Sequence, residues 1–168
     1  GAALEDSIEI VDLDTAFRYQ FADGTVLKMP GAGIGRCAEA IGDTLGGTSA
    51  QQWRAFMNRA AKMWSVTRKP FLQSELHGLS SLVSMSWRLG DLRTIAPTKT
   101  LREMAQQYIS DPRLLTLVDR YATYTGSDPR QAPAALATVP YVEQMFGAYH
   151  VAGGLRELGR ALYERACA

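Results

Sequence analysis

Histidine and cysteine are the first side chains to consider for chemistry, and this chain carries two of each. The imidazoles are His77 and His150, and the thiols Cys37 and Cys167 lie 130 positions apart. Neither histidine has a Cys, Asp or Glu at metal-ligand spacing, and no Gly-x-Ser-x-Gly turn presents a serine nucleophile. We therefore expect two reduced thiols, no metal site and no catalytic residue in this chain.

A glycine-rich link, Gly31-x-Gly33-x-Gly35, is the next candidate because such loops can cradle phosphates. A dinucleotide fingerprint needs glycines at its first, third and sixth positions after a strand. Here the sixth position is Arg36, and Pro30 precedes the first glycine. The pattern therefore indicates a turn between secondary-structure elements.

A lone carboxylate, Glu143, stands between Asp128 and Glu157 in an otherwise apolar stretch. An isolated carboxylate among apolar residues can be a base with a tuned pKa. It can equally be a structural hydrogen-bond acceptor for backbone amides or a nearby arginine. Both interpretations stay open at this level.

The composition, 46% apolar and 21% charged over 168 residues, is that of one globular domain. The net charge of +1 gives no field that would gather nucleic acid, so no nucleic-acid partner is expected. No basic segment or apolar core of a signal peptide is visible at the start. We expect a cytoplasmic protein, with peripheral contact at the inner face of the membrane.

That membrane contact is inferred from residues 71–89, which carry few charges. Leu72, Leu76, Leu79 and Val83 form one helical stripe, and Trp87 helps to widen it beyond one face. A helix that is apolar nearly all round is buried core, lines an apolar ligand tunnel or faces lipid. The segment is too short to span a bilayer, which needs about 20 apolar residues.

The sequence pattern predicts strands and helices that together make an α+β domain. Residues 7–13, 16–21 and 25–29 alternate as strands, and Asp23-Gly24 is a hairpin signal. Helices are predicted over residues 34–45, 50–68, 101–109, 111–124 and 132–146. A short extended piece at 148–151 then leads through Gly153-Gly154 into a last helix at 155–166. We expect the hairpin and the late strand to form a small sheet covered by a mostly helical cap.

The C-terminal third resembles a known family. Its motifs occur in order as Asp111-Pro112-Arg113-Leu114, an aromatic turn at 121–130, Pro140-Tyr141-Val142-Glu143, and an aromatic stretch at 146–151 that runs into Gly153-Gly154. This pattern is similar to the non-nucleotide half of the phytoene desaturase-like flavoproteins, the carotenoid branch of the amine-oxidase-type FAD oxidoreductases. Such enzymes dehydrogenate long apolar substrates by passing hydride to the flavin.

The resemblance implies that residues 1–168 are a single substrate-binding domain of a larger oxidoreductase. FAD would be bound by the full-length protein and not by this chain alone, which is expected to be inactive. Gly153 and Gly154 would face the flavin in the full-length protein. The substrate-binding residues implied for an apolar, isoprenoid-like substrate are Tyr141, Phe146, Tyr149, His150, Leu79, Val83 and Trp87.

The partners that follow are an apolar small molecule and the FAD-binding domain of the same parent chain. Two alternatives remain at this level. One is a stand-alone, non-catalytic helical module that binds a lipid or a protein. The other is the substrate domain of an amine or porphyrinogen oxidase.

Overall fold

The structure is a computed structural model that describes residues 6–68 and 89–167. Four strands are present in this part of the chain: β1 (Ile10–Asp12), β2 (Thr15–Gln20), β3 (Val26–Pro30) and β4 (Tyr149–Val151). The α-helices are α1 (Ile34–Leu45), α2 (Ser49–Thr67), α3 (Leu89–Ile95), α4 (Leu101–Gln106), α5 (Pro112–Asp119), α6 (Thr138–Phe146) and α7 (Arg156–Cys167). Two 3₁₀ helices span Arg120–Thr125 and Ala134–Ala137. The predicted α+β class is confirmed.

The strands form two separate two-stranded antiparallel sheets, β2 with β3 and β1 with β4. The predicted hairpin around Asp23-Gly24 is confirmed, and Thr25 donates its amide to the Asp23 carboxylate at 2.9 Å. The late strand pairs with β1 and not with the hairpin, so the expected single sheet is divided. A bulge between Thr15 and Phe17 interrupts the register where the chain passes from one sheet to the other.

The hydrophobic core lies where β3, α1 and α2 meet the helices of the C-terminal half. Trp53, Phe56 and Met63 of α2 are fully buried, which confirms the helical periodicity read from the sequence. Gln144 of α6 is also buried, and its side-chain oxygen accepts a hydrogen bond from the Trp53 indole at 3.1 Å. This bond ties α6, which leads into the candidate site, to the centre of the core.

Helix boundaries in the C-terminal half follow local capping chemistry. Thr100 caps α4 in a reciprocal capping box with Glu103. Asp111 caps α5 with Pro112 as its first residue, as predicted. The predicted helix 132–146 is divided into a 3₁₀ turn and α6, with Pro133 before the first and Pro140 in the opening turn of the second. Both prolines therefore occupy positions where a missing amide is tolerated.

The glycine-rich link is a turn that packs tightly against the start of the sheets. A Cβ atom at Gly31 would lie 1.7 Å from the carbonyl oxygen of Leu13. Gly31 accepts a hydrogen bond from the amide of Ala148, and Gly33 donates its own to Gln144. The segment therefore joins β3 to the junction of α6 and β4, and this contact fixes where the candidate site begins.

Candidate functional site

The candidate site is built from the end of α6, strand β4 and the turn into α7. Strand β4 is held by β1, with Tyr149 opposite Asp12, His150 opposite Val11 and Val151 opposite Ile10. The amide of Leu13 also donates to the Ala148 carbonyl oxygen at 3.3 Å. Residues near the two ends of the described chain are thus joined, and the aromatic stretch is fixed on ordered backbone.

Three aromatic residues form a cluster at this junction, which we call the aromatic shelf: Phe146 and Tyr149, which are exposed, and Trp64, which is partly buried. The Phe146 ring meets Trp64 edge-on, with ring centroids 6.4 Å apart. The Tyr149 hydroxyl donates to the Phe146 carbonyl oxygen at 2.8 Å. Phe146 is 52% exposed and Tyr149 is 56% exposed. The shelf therefore offers apolar ring surface to a ligand or to another part of a larger protein.

The Gly153-Gly154 turn needs both of its glycines. Their φ angles are +79° and +89°, in the left-handed region that other residues rarely adopt. The Gly154 amide donates to the Val151 carbonyl oxygen, and the Gly154 carbonyl accepts from the amide of Glu157 in the first turn of α7. The Glu157 side chain packs against Gly153, whereas a Cβ atom at Gly154 would meet nothing within 4 Å, so the open backbone of the turn is at Gly154.

Helix α7 carries no buried residue along its described length. Leu155 is 77% exposed, Leu162 is 59% exposed and Tyr163 is 70% exposed. Leu155, Leu158 and Leu162 follow a helical spacing that places them on one face. Leu155 follows the Gly153-Gly154 turn directly, and the other two leucines lie within α7.

The other predicted site residues lie in different surroundings. Tyr141, on α6, is partly buried and packs against the hydrophobic core. His150 is exposed on β4, next to Tyr149 in sequence and so on the opposite face of the strand. Leu79, Val83 and Trp87 lie outside the described residues. The structure thus brings Phe146 and Tyr149 into contact and sets Tyr141 apart from them.

A second polar cluster, which we call the Arg120 cluster, surrounds Glu143 on the buried side of α6. One Glu143 oxygen accepts from the Tyr121 hydroxyl at 2.6 Å and from the Arg120 guanidinium at 3.2 Å. The other accepts from the same guanidinium at 3.3 Å and from the Tyr124 hydroxyl at 3.2 Å. Both oxygens are engaged, so the structure favours the interpretation of Glu143 as an acceptor for a nearby arginine.

Aromatic rings from the hairpin enclose the same guanidinium. The centre of the Arg120 guanidinium lies 4.4 Å from the Phe17 ring centroid and 5.4 Å from that of Tyr19. Such contacts stabilise a partly desolvated cation. Burial raises the pKa of Tyr19, and burial together with the Glu143 carboxylate raises the pKa of Tyr121. Both hydroxyls are therefore neutral at ordinary pH.

Sequence reasoning missed Trp64 as a site residue and Arg120 as the partner of Glu143. Trp64 recurs at helical spacing with the apolar residues of α2, a pattern that does not distinguish it from the residues of the core. The signal for the Arg120 cluster was present as Phe17 and Tyr19 on one strand face and Tyr121 and Tyr124 one helical turn apart. Neither aromatic pattern by itself indicates that the guanidinium of Arg120 lies between the rings.

Three further observations concern metal ligands, membrane-spanning helices and cysteines among the described residues. They contain no group of three or more His, Cys, Asp or Glu side chains that could hold a metal ion. Within residues 6–68 and 89–167, no helix combines the length and the apolar character needed to cross a membrane. Cys37 and Cys167 are both free thiols, the first buried and the second exposed.

Comparison with known proteins finds similarity to carotenoid enzymes over nearly the whole of this chain. It is 32% identical over 163 residues to a hydroxyneurosporene desaturase of Rubrivivax gelatinosus, covering 96% of this chain and 31% of that protein. It is 26% identical over 166 residues to a phytoene dehydrogenase of Streptomyces griseus, covering 99% of this chain and 32% of the relative. A 4,4'-diapolycopene oxygenase of Methylomonas sp is 26% identical over 170 residues, and the match covers 96% of this chain and 32% of that protein. No protein-family profile matches.

The chain spans about one third of the length of these curated relatives. The three relatives act, by their names, as desaturase, dehydrogenase and oxygenase, and each match runs over nearly the whole of this chain. The resemblance read from the Asp111–Gly154 motifs is thereby confirmed. Over nearly all its length, the chain is similar to phytoene desaturase-like enzymes of carotenoids.

Proposed function

We propose that this chain is the substrate-binding domain of an FAD-dependent oxidoreductase that dehydrogenates a long apolar, carotenoid-like substrate. The observation that carries the proposal is the similarity of nearly the whole chain to one third of each carotenoid enzyme. That similarity supports a carotenoid-type oxidoreductase and favours this substrate class over amines and porphyrinogens. The domain assignment for residues 1–168 and the hydride-transfer reaction are the finer parts of the proposal.

The exposed apolar surface supports a domain that works against another part of a larger protein. Contiguous exposed apolar surface in a protein marks an interface or a ligand site. Phe146 and Tyr149 of the aromatic shelf precede Gly153-Gly154 in the chain, the exposed residues Leu155 and Leu162 follow it, and all four present apolar surface to solvent. In the proposal, the FAD-binding domain of the parent chain covers α7, and the substrate lies along the shelf.

The residues of this chain fit a contact with a flavin but not its main binding site. The Gly31-x-Gly33 link does not offer free amides to a pyrophosphate, because the Gly31 and Gly33 amides already donate to the carbonyl oxygens of Asp14 and Gln144. Gly154 is different, since a Cβ atom there would meet nothing within 4 Å. Exposed glycine backbone at the start of a helix permits close approach of a cofactor. Gly153 and Gly154 are therefore proposed to face the flavin.

The chemistry is divided between cofactor and protein. A flavin bound by the full-length protein would supply the hydride acceptor. The chain's own residues bind and orient the apolar substrate and exclude water from it. Phe146 and Tyr149 supply exposed ring surface for this purpose. Tyr141, His150, Leu79, Val83 and Trp87 are proposed to extend the substrate path.

A direct test uses the full-length parent protein and an acyclic carotenoid in neutral-lipid vesicles without oxygen. We expect the carotenoid to bleach the flavin absorbance and to gain a longer conjugated chromophore. Tyr149→Ala should slow flavin reduction by about tenfold through loss of orientation. Tyr149→Phe is the matched control, because it keeps the ring and removes only the hydroxyl.

Two results would reject the proposal. Absence of flavin reduction by acyclic carotenoids would reject the assigned reaction. Stoichiometric FAD bound to the 168-residue chain alone would reject the division between domains, since the purified chain should be colourless.

Peripheral membrane contact through residues 71–89 is a separate part of the proposal. An apolar segment of this length, in a protein that handles an apolar substrate, favours a position at the bilayer surface. The double substitution Leu79→Glu and Trp87→Glu should abolish co-sedimentation with liposomes. Unchanged co-sedimentation of that variant would contradict the assignment.

A further inference from the structure

A cleft of about 350 Å³ lies on the side of α2 that faces α3 and the start of α4. It is lined by three cationic side chains, Arg59, Arg93 and Lys99. Arg59 is half-buried on α2, whereas Arg93 and Lys99 are exposed. The whole chain has a net charge of only +1, so a cleft with three cations is a local concentration of charge.

None of these three side chains forms an ion pair with a carboxylate whose side chain the structure describes. The cleft lining contains no acidic residue, and the Arg59 guanidinium donates to the backbone carbonyl oxygen of Arg93 at 3.2 Å. That bond fixes one guanidinium nitrogen and leaves other donors of the planar group for a ligand. Like charges that line one cleft repel, and a bound anion would relieve the repulsion.

The backbone at the rim is held in a conformation that few residues adopt. Ala96 has a φ of +51°, the only positive φ outside glycine in the described chain. The amide of Lys99 donates to the Ala96 carbonyl oxygen at 3.0 Å and closes the turn. Strain of this kind costs roughly 1 kcal/mol and often lies at binding sites. The turn carries Thr98 and Lys99 into the cleft wall.

The remaining lining has the chemistry of an oxyanion site. Thr98 and Gln107 supply a hydroxyl and an amide, which are neutral hydrogen-bond donors. Met104 is 1% exposed and closes the cleft floor with an apolar surface. Two guanidinium groups and an ammonium group match phosphate better than a carboxylate, because the three oxygens of a phosphate can each accept from a different donor.

We propose that this cleft binds a phosphate group, presented either by a lipid headgroup or by a soluble phosphate compound. Basic residues also stand at both ends of the apolar segment in sequence, with Lys69 just before it and Arg88 as its next-to-last residue. Cations at the ends of a membrane-contacting segment attract anionic lipid. The site does not depend on the proposed redox function, because none of its residues belongs to the shelf or to the Gly153-Gly154 turn.

The test compares two double variants of the chain that change charge equally. Arg93→Gln with Lys99→Gln removes two cations from the cleft. Arg18→Gln with Lys28→Gln is the matched control, because these exposed residues are opposite each other on the β2–β3 hairpin. Circular dichroism first establishes that both variants are folded. Lys99→Gln alone serves if the cleft double variant does not fold.

Two binding measurements distinguish the sources of phosphate. The first is co-sedimentation with phosphatidylglycerol vesicles against phosphatidylcholine vesicles. The second is the thermal midpoint in inorganic phosphate against chloride at equal ionic strength. For vesicles, the cleft double variant should bind about 30-fold more weakly and Lys99→Gln about 5-fold more weakly, whereas the hairpin control should bind as the parent does.

Each outcome decides the proposal. Selective loss of vesicle binding by the cleft variant supports a headgroup site. Loss of phosphate-specific stabilisation without vesicle binding supports a site for soluble phosphate. Equal losses in the two double variants, or no response to either probe in the parent chain, would overturn the proposal.

Discussion

The Arg120 cluster permits a quantitative test of how the hairpin is attached to the helices. Glu143→Ala would remove the acceptor for Arg120, Tyr121 and Tyr124 at once. The Arg120 side chain is 26% exposed and that of Glu143 is 15% exposed, so the pair is largely removed from water. Breaking a fully buried ion pair from one side costs about 3–5 kcal/mol. Partial exposure reduces that cost, and we place it at about 2–3 kcal/mol.

The hydroxyl of Tyr121 adds to this penalty. That residue is only 1% exposed, so its hydroxyl would lose its acceptor in a buried setting, at about 1 kcal/mol or more. The total for Glu143→Ala is then about 3–4 kcal/mol of unfolding free energy. Glu143→Gln keeps an acceptor and loses the charge, so it should cost about 1–2 kcal/mol.

Urea unfolding measured by circular dichroism provides the assay. The same substitutions at Glu164 are the matched control, because Glu164 pairs with Arg160 at 2.7 Å on the exposed face of α7. That control should lose no more than about 0.5 kcal/mol. Arg120→Met combined with Glu143→Ala should cost at least about 1 kcal/mol less than the sum of the single changes. If the losses of unfolding free energy are additive, or if Glu143→Ala loses no more than the control, the residues of the Arg120 cluster do not stabilise one another and the reasoning is refuted.

Three further predictions concern stability and reactivity. Gly31→Ala should destabilise the chain by about 3 kcal/mol or more, since its Cβ would lie 1.7 Å from a backbone carbonyl oxygen; Gly35→Ala, in open space on α1, should not, and denaturant midpoints compare the two. Ellman's reagent should label Cys167 in the folded chain and Cys37 only on unfolding. Burial raises the pKa of Cys37 to about 11 from 9.0, so the contribution of this thiol to the free energy of unfolding should fall as the pH rises between these values. The fall should be smaller in Cys37→Ala. Asp111→Ala should cost about 1–2 kcal/mol at pH 7 through loss of a helix cap. Because hydrogen bonding from a neighbouring arginine lowers the Asp111 pKa, the difference from the parent should diminish as the pH falls below 3.8.

The parts of the fold that the sequence predicted are those decided by neighbouring residues. The Asp23-Gly24 hairpin, the Asp111 cap and the apolar face of α2 each follow from patterns within a few positions. The pairing of β1 with β4 could not be predicted in the same way, because its two short strands lie near opposite ends of the described chain. Helix α3 was also missed, since its seven residues are too few to establish a helical periodicity.

The same distinction applies to the candidate sites. Phe146, Tyr149 and Gly153 are close in sequence, so the strand and the glycine turn that contain them could be predicted from the local sequence pattern. The Arg120 cluster instead joins Tyr19 of the hairpin to Glu143 of α6, and no local pattern relates them. Charge complementarity offers several partners for any carboxylate, and only tertiary packing selects one.

The contrast between the two aromatic groups explains why the shelf is interpreted as functional surface. Tyr121 is 1% exposed and its hydroxyl is hydrogen-bonded, and Trp53 is fully buried, so the domain has enough core to bury large rings. Phe146 and Tyr149 are held in place just as firmly by α6 and by β1, yet more than half of each side chain stays exposed. A single exposed ring is ordinary, but two adjoining exposed rings, followed in the chain by the exposed Leu155 and Leu162, are not. Because helix α6 and strand β4 hold these rings, their exposure is a consequence of the fold. A surface that binds a substrate or is covered by another domain needs rings held exposed in this way.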